Sequence, residues 1–249
     1  MSKEMFIALS GGLAYQRHLE VVSNNIANVS TVGFKADRPV FSVAEAPFET
    51  QGRIKPAPGS AEGLLARSYV SLPQTYIDMS AGPIESTDQP LDVALRTDGF
   101  FAVQGEGGDL LYTRAGNFRL DPDGLLVTED GLAVMGEKGN IRIGSPNVHI
   151  DGRGQVLVDG AVVDRLRIDQ VENPTQLQKV GHSLFSAAGA TATPVTEPEV
   201  VQGALEQSNA SAVRSMVELI NVQRNFESFT KVVTSIDSLD QKLNQRIKA

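Results

Sequence analysis

An apolar stripe of helical period lies at each end of this 249-residue chain. At the N-terminal end the apolar or small side chains recur every three or four residues, at Met5, Ala8, Gly12, Tyr15, Leu19, Val22, Ile26 and Val29. At the C-terminal end the same spacing joins Leu219, Val222, Phe226, Phe229, Val233, Ile236, Leu243 and Ile247, with Asp240 as its one polar interruption. A seam of this kind predicts an amphipathic helix that is buried against another helix. The stripes therefore predict two terminal helices that pair with each other or with neighbouring copies.

Local signals predict where these helices begin and end. The first is expected to span about residues 3–28 and to end in a segment of β-branched and hydroxyl side chains that contains Gly33, a residue suited to leaving a helix. The second is expected to follow an N-cap at Ser208-Asn209 and to reach about residue 247.

Between the helices the pattern changes to short apolar runs that end at turns. The runs cover residues 91–95, 100–103, 110–112, 125–127, 156–158 and 166–171. Asp-Gly recurs at 98–99, 123–124, 130–131, 151–152 and 159–160, and several of these dipeptides stand between two runs, which is the strongest short-range signal of a β-hairpin. The pattern predicts an all-β domain that folds alone from about residue 76 to residue 200, and no long helix is present to form a parallel nucleotide-binding sheet.

The segment between the first helix and this β region is rich in proline and glycine. Five prolines interrupt it, at Pro39, Pro47, Pro56, Pro58 and Pro73. We therefore predict an extended connector with short strands over residues 36–75. The predicted fold class is α+β: a discontinuous helical domain of paired, coiled-coil-like helices from 1–35 with 205–249, and an all-β middle domain of hairpins from 76–204.

Composition and charge exclude several functional classes. The net charge is −8, and because residues 1–38 carry about +1 and residues 209–249 about +2, the middle of the chain carries about −11. Such an acidic body does not suit a nucleic-acid backbone. The absence of cysteine removes disulfides, zinc–thiolate sites and cysteine nucleophiles. No apolar run is long enough to cross a bilayer, and no cleavable leader is evident, so any export is expected to use another route.

The residue types that could carry catalysis do not form a catalytic or metal-binding pattern. His18, His149 and His182 lack metal-ligand spacing. Ser183 is not in a nucleophile elbow, because Phe185 occupies the position of the second glycine. Four acidic residues of the middle region, Asp121, Asp123, Asp130 and Asp151, could be paired carboxylates or calcium ligands, but aspartate beside glycine is ordinary turn chemistry. We therefore expect no catalytic residue, no cofactor and no metal.

Several segments carry a family resemblance. Residues 23–35, with the sequence SNNIANVSTVGFK, resemble the N-terminal signature of the flagellar axial proteins, which are the rod and hook components of the bacterial flagellum. Residues 203–209 (GALEQSN), 216–220 (MVELI) and 223–227 (QRNFE) are similar to the other end of the same proteins. Residues 90–95 (PLDVAL), 98–103 (DGFFAV) and 112–118 (YTRAGNF) resemble the opening of their β domain. The chain is identified on these motifs as a member of the flagellar basal-body rod protein family.

The resemblance implies a structural subunit of the flagellar rod and no enzymatic activity. It implies that the chain passes through the flagellar export apparatus and adds to a helical tube in the basal body, where the rod spans the periplasm and transmits torque from the motor to the hook. The implied partners are copies of the chain and other rod proteins, with no nucleic acid, small-molecule substrate or transmembrane segment. Within the family, the length of the chain does not fit the longer hook proteins or the small rod subunits. The opening at residues 6–11, the connector with its prolines and residues 224–227 (RNFE) resemble the proximal class of rod subunits more than the distal class.

The seams and the signature together predict the assembly interface. Asn24 and Asn25 are included because polar residues beside a seam can fix its register and its partner. The predicted interface residues are Met5, Leu9, Leu19, Val22, Asn24, Asn25, Ile26, Asn28, Phe34, Leu219, Val222, Phe226, Phe229, Val233, Ile236 and Leu243.

Two alternatives stay open on the sequence. One is a distal rod or hook-like paralogue, which shares the same chemistry and differs in its place in the flagellum. The other is an extracellular β-domain enzyme or adhesin with a coiled-coil stem, which predicts a cleft with perturbed carboxylates and a closed symmetric oligomer.

Overall fold

The computed structural model describes residues 3–40, 43–45, 68–70, 74–145, 147–181, 183–187 and 189–247. Its residues divide into two compact units. The helical unit is drawn from residues 1–26, 37–76 and 212–249, and the β unit consists of Ala27–Ala36 and Ile77–Ser211. The predicted α+β class is confirmed, because two terminal helices flank a middle region that is rich in strands.

The helical unit contains both long helices and a pair of two-stranded ladders. Helix α1 spans Lys3–Ala27 and helix α2 spans Ala212–Ile247. The intervening strands are β1 (Asp37–Val40), β2 (Val43–Glu45), β3 (Ser68–Val70) and β4 (Gln74–Ile77). β1 pairs with β4, and β2 pairs with β3 in antiparallel register, with Val43 opposite Val70. Neither helix is apolar enough over its described residues to span a membrane.

The start of α2 differs from the prediction. Ser208 and Asn209 do not cap it, because the helix begins at Ala212. The Asn209 amide instead donates to the carbonyls of Asp78 (2.7 Å) and Ser80 (3.0 Å) in the β unit. Both residues are used as polar links within that unit, and Ser211 directly precedes the helix.

The β unit contains seventeen further strands. They are β5 (Ile84–Ser86), β6 (Val93–Leu95), β7 (Phe100–Gln104), β8 (Leu110–Thr113), β9 (Arg119–Leu120), β10 (Leu126–Val127), β11 (Ala133–Gly136), β12 (Gly139–Asn140), β13 (Val148–Ile150), β14 (Gln155–Val158), β15 (Ala161–Arg165), β16 (Ile168–Val171), β17 (Gln178–Lys179), β18 (Leu184–Ser186), β19 (Ala192–Pro194), β20 (Val200–Gln202) and β21 (Ala204–Glu206). A short 3₁₀ helix spans Pro174–Gln176.

One large antiparallel sheet organises the β unit. Its main path runs β17-β18-β8-β7-β11-β10-β9, with β12 on β11, and β16 between β7 and β19. A three-stranded sheet, β13-β14-β15, and two strand pairs, β20-β6 and β21-β5, complete the unit. Strands β6 to β8 are mostly buried because their runs are apolar, as the sequence predicts.

Four of the five Asp-Gly dipeptides are hairpin turns. The dipeptides at 123–124, 130–131, 151–152 and 159–160 connect β9 to β10, β10 to β11, β13 to β14 and β14 to β15, and each of these strand pairs is antiparallel. Gly124, Gly131 and Gly160 have positive φ, the conformation that these turns need. The dipeptide at 98–99 is not a hairpin turn, because β6 before it pairs with β20 and not with β7.

The core lies between the sheets of the β unit. Phe101 and Phe118 meet edge to face at 5.2 Å within the main cluster, which also contains Leu126, Val134 and Ile141. A second cluster surrounds Phe185 and Phe100. Large apolar side chains from distant strands therefore share one packed interior.

Both flanks of the β unit contribute to its closure. β20 adds Val200 to the main core, and β21 adds the buried residues Ala204 and Leu205. From the other side, the Gly33 amide donates to the Glu206 carbonyl at 2.8 Å. The β unit therefore extends beyond residues 76–200, because it also includes β21 and the segment of residues 27–36.

Candidate assembly site

The helices α1 and α2 contact each other within the helical unit. The rings of Tyr15 and Phe229 lie 5.9 Å apart between centroids. A Cβ atom built on Gly11 would stand 3.1 Å from the Phe229 ring, so the absence of a side chain there admits the ring. His18 Nε2 and Glu218 Oε1 are 2.8 Å apart, which gives this histidine a partner on the other helix. The predicted seam is thus occupied, at these positions, by the partner helix of the same chain.

The C-terminal seam residues share one side of α2. Val222 is buried, and Leu219, Phe226, Phe229 and Val233 are partly buried. The side chains of Ile236 and Leu243 lie outside the described residues.

A second apolar stripe runs along the opposite side of α2. Its four side chains, Val213, Met216, Val217 and Ile220, are between 51% and 74% exposed. At 100° per residue these four positions face away from Val222. The first three turns of α2 therefore carry apolar side chains on two opposite sides, of which only the side with Val222 was predicted.

The N-terminal interface residues fall into several environments. Leu19 and Ile26 are partly buried, Val22 is buried and Asn24 is exposed. The side chain of the buried Asn25 makes two hydrogen bonds to the backbone of Asp37. It donates to the carbonyl at 2.8 Å and accepts from the amide at 3.0 Å. The side chains of Met5 and Leu9 lie outside the described residues.

The signature beyond α1 is buried in the β unit. Asn28 Oδ1 accepts from the Thr31 hydroxyl at 3.1 Å. The Phe34 ring is 1% exposed and lies 4.3 Å from the Lys179 ammonium. Asn28 and Phe34 therefore have their side chains covered within this chain.

Gly33 and Gly116 allow segments of the β unit to approach closely. Gly33 has φ +67°, and a Cβ there would overlap the backbone nitrogen of Ala115. A Cβ on Gly116 would overlap the carbonyl oxygen of Val93. Both glycines belong to the motifs that carry the family resemblance. The close contact between backbones explains why glycine is required at these two positions.

Three buried charges meet next to Gly33. Lys35 Nζ lies 2.7 Å from Glu206 Oε1, and Arg114 NH1 lies 3.2 Å from Glu206 Oε2. Burial lowers the pKa of Lys35, although Glu206 opposes the shift, and burial likewise lowers the pKa of Arg114. All three residues lie in motifs that carry the family resemblance, but their contact was not predicted. The sequence signal that could have indicated this cluster is a charged residue directly after a buried apolar residue, as in Phe34-Lys35 and Leu205-Glu206.

The described residues contain no group of three metal-ligating side chains. Asp121 and Asp151, considered above as carboxylates for catalysis or calcium, accept backbone amides of their own turns, at Leu125 (2.7 Å) and Gln155 (2.8 Å). His149 is exposed on β13, and His182 lies outside the described residues. These aspartates stabilise turns, which is the role favoured by their sequence context.

An open groove of about 730 Å³ lies over β8 in the β unit. Arg167 and Tyr112 line it, and Arg167 Nε donates to both oxygens of the buried Asp169, at 3.2 and 2.9 Å. Burial, with a smaller contribution from Asp169, raises the pKa of Tyr112. The arginine of this groove is therefore already paired with a carboxylate of its own unit.

Three family models match the chain in order. Residues 5–35 match the model described as flagella basal body rod protein, residues 94–158 the D1 domain of flagellar hook protein FlgE/F/G, and residues 201–246 the C-terminal part of flagellar basal body rod FlgEFG protein. All of the predicted interface residues fall within the two terminal matches.

Curated relatives match over almost their whole length. The chain is 31% identical over 255 residues to flagellar basal-body rod protein FlgF of Caulobacter vibrioides, covering 99% of this chain and 98% of that protein. It is 33% identical to FlgG of Buchnera aphidicola from Acyrthosiphon pisum, covering 98% and 100%. It is 30% identical to FlgF of Salmonella typhimurium, covering 98% of each.

Proposed function

Because this chain belongs to the flagellar basal-body rod protein family, we propose that it polymerises into a helical rod that transmits torque from the motor to the hook. It is a structural protein of the flagellar basal body and not an enzyme, and it assembles with other rod components. The observation that supports polymerisation through the ends of the chain is the order of the matches. Both ends match rod-protein models, and the region between them matches a D1 domain.

The terminal helices form the assembly domain in this proposal. They pair in a coiled-coil-like manner through the seam that includes Leu19, Val22 and Phe229, with Gly11 admitting the ring of Phe229. Residues 1–35 and 205–249 thus act together although they are far apart in sequence. The β domain forms an outer layer that stiffens the tube, and its packed antiparallel sheets suit a load-bearing body.

The exposed stripe of α2 contacts a neighbouring rod subunit. Its four apolar side chains lie opposite the seam, so a neighbour can cover them while α1 stays in place. Four side chains cover far less than the about 800 Å² per partner of a stable isolated complex. The stripe therefore contributes to a polymer in which each subunit has several contacts. Head-to-tail contacts that do not close produce a helical tube.

Export through the flagellar apparatus in an unfolded state precedes assembly. A chain without cysteine forms no disulfide that could hinder passage or refolding. After assembly, the subunit lies in the rod where it spans the periplasm.

Within the family, the proximal rod protein FlgF is the proposed assignment. Relatives named FlgF and FlgG match with similar identities, between 29% and 33%. The assignment rests on the region around Phe226, where distal rod proteins tend to have tyrosine. Complementation of strains that lack either protein decides between them.

A charge on the exposed stripe tests the proposed contact with a neighbour. Val217→Asp is expected to abolish motility and rod completion, because assembly would bury an unpaired carboxylate in every subunit. Val217 is 55% exposed, so melting of the purified variant should change little. Val180→Asp, at a 60% exposed valine of the β unit, is the matched control and should swim normally. Normal swimming of the Val217 variant would contradict the proposal.

A further inference from the structure

Three charged side chains are buried together in the β unit. Lys35 and Glu206 are each 1% exposed, and Arg114 is 5% exposed. The two cations bind different oxygens of the same carboxylate, Lys35 at 2.7 Å and Arg114 at 3.2 Å. The three residues come from the segment after α1, the end of β8 and the end of β21. We call them the charge cluster.

Glu206 also holds backbone groups on each side of it. Its Oε1 accepts the Gly82 amide at 2.9 Å, and its carbonyl accepts the Gly33 amide at 2.8 Å. Lys35 Nζ extends the network to the Ser80 carbonyl at 2.7 Å. One residue of the last strand therefore ties together the segments around residues 33–35 and 80–82.

The cluster contains more positive than negative charge. Asp78 and Asp98 add attraction from a greater distance, the first to Lys35 and the second to Arg114. Arg114 NH1 and NH2 donate to the carbonyls of Leu95 (3.3 Å) and Thr97 (2.9 Å), while its Nε has no hydrogen-bond partner among the described residues. The two cations consequently depend on Glu206 for their close counter-charge.

Such a cluster adds little to the free energy of unfolding, but it strongly disfavours an incorrect register of the strands. Desolvation offsets most of the attraction between buried charges, so apolar residues of similar volume would stabilise the unit as well. A wrong pairing is costly, however, because it leaves buried cations without their anion. In the observed register Glu206 pairs with Ile84 and Leu205 with Glu85. A slip by one residue would turn Glu206 to the other face of the strand.

We propose that Glu206 is a positioning residue for assembly: by pairing with Lys35 and Arg114 it fixes the register of β21 on β5. The register sets where the chain leaves the β unit toward α2, five residues after Glu206. The same cluster fixes Gly33–Lys35, the segment that follows α1. Only the effect on rod assembly rests on the proposed function, since the register itself is a property of the monomer.

The first experiment removes the anion with little change of shape. In full-length Glu206→Gln, hydrogen exchange at the Gly33 and Gly82 amides should accelerate at least tenfold more than exchange in β7. Glu137→Gln is the control, because Glu137 pairs with Arg165 at the surface, at 3.4 Å and 60% side-chain exposure. Equal acceleration of all β-unit amides, or none at Gly33 and Gly82, would overturn the inference.

The second experiment separates register from stability and applies even if the single variant fails to fold. The triple variant Lys35→Met, Arg114→Met, Glu206→Leu should melt at or above the wild-type temperature yet show more than one set of amide resonances for residues 204–211. Its rods should be incomplete. A single set of resonances at the wild-type positions would overturn the inference.

Comparison with the Val217→Asp variant distinguishes the two proposals. If that variant stops assembly while the triple variant completes rods, the role of Glu206 in assembly is refuted and the proposed function stands. If both variants complete rods, the proposed contact fails, and the resonances of the monomer still decide the register.

Discussion

Burial sets the proton affinity of individual residues in the β unit, and Lys35 is the clearest case. Its ammonium group is removed from water, which lowers its pKa below 10.5, while the charge of Glu206 opposes the change. A lowered pKa means that the folded protein binds this proton less tightly than the unfolded chain. Lys35 therefore reduces stability while it is charged, and the penalty disappears as the pH rises from the folded pKa to 10.5.

This sign gives a prediction for the pH dependence of unfolding. Relative to Lys35→Met, the wild-type protein should gain unfolding free energy as the pH rises toward 10.5, with a slope of at most about 1.4 kcal/mol per pH unit. Denaturant melts of both proteins at several alkaline pH values measure the difference, in which the titration of other residues cancels. A difference that falls as the pH rises would contradict the lowered pKa.

At the scale of elements, the contact between α1 and α2 depends on one aromatic ring. Phe229 occupies the space left by Gly11 and Gly12 and lies beside Tyr15. The ring is only partly buried, so its removal costs less than the about 3–5 kcal/mol of a fully buried phenylalanine.

Truncation of that ring should loosen α1 specifically. For Phe229→Ala we expect a loss of about 1–2 kcal/mol in the local stability of α1, seen as faster amide hydrogen exchange over residues 13–25. Val232→Ala is the control, because Val232 is 58% exposed and its loss removes little contact. Unchanged exchange in α1 would mean that the ring does not hold the helices together.

The elements were predictable where their signals are local. Periodicity predicted both helices, and Asp-Gly predicted four hairpins, because turn and helix preferences act over a few residues. The predicted N-cap at Ser208-Asn209 was wrong because Asp78 and Ser80, which are distant in sequence, bind Asn209. The Asp-Gly dipeptide at 98–99 is not a hairpin turn for a similar reason, since the distant strand β20 binds β6. The charge cluster could not be predicted for the same reason, since its members lie up to 171 residues apart.

At the scale of the whole molecule, closure of the β unit joins residues from both ends of the sequence. β6 pairs with β20, and β5 pairs with β21. In each pair the second strand follows the first by more than a hundred residues. Asn209 Oδ1 accepts the Ala36 amide at 2.7 Å, and the Asp78 amide donates to the Ala36 carbonyl at 2.8 Å. The unit therefore cannot be completed until residue 209 is available.

This closure predicts which fragments fold. Residues 27–211 should show one cooperative thermal transition, because they contain every strand of the β unit and the segment of residues 27–36. Residues 27–198 should show no cooperative transition, because this fragment lacks β20 and β21. Without them, the core residues that pack against Val200 are exposed to solvent, and Lys35 and Arg114 lose their ion pairs with Glu206. Residues 76–200 should fail for the same reason. Calorimetry and near-ultraviolet circular dichroism of the three fragments measure the difference. If residues 76–200 unfolded cooperatively at the same melting temperature as residues 27–211, the two flanks would not be needed to complete the core.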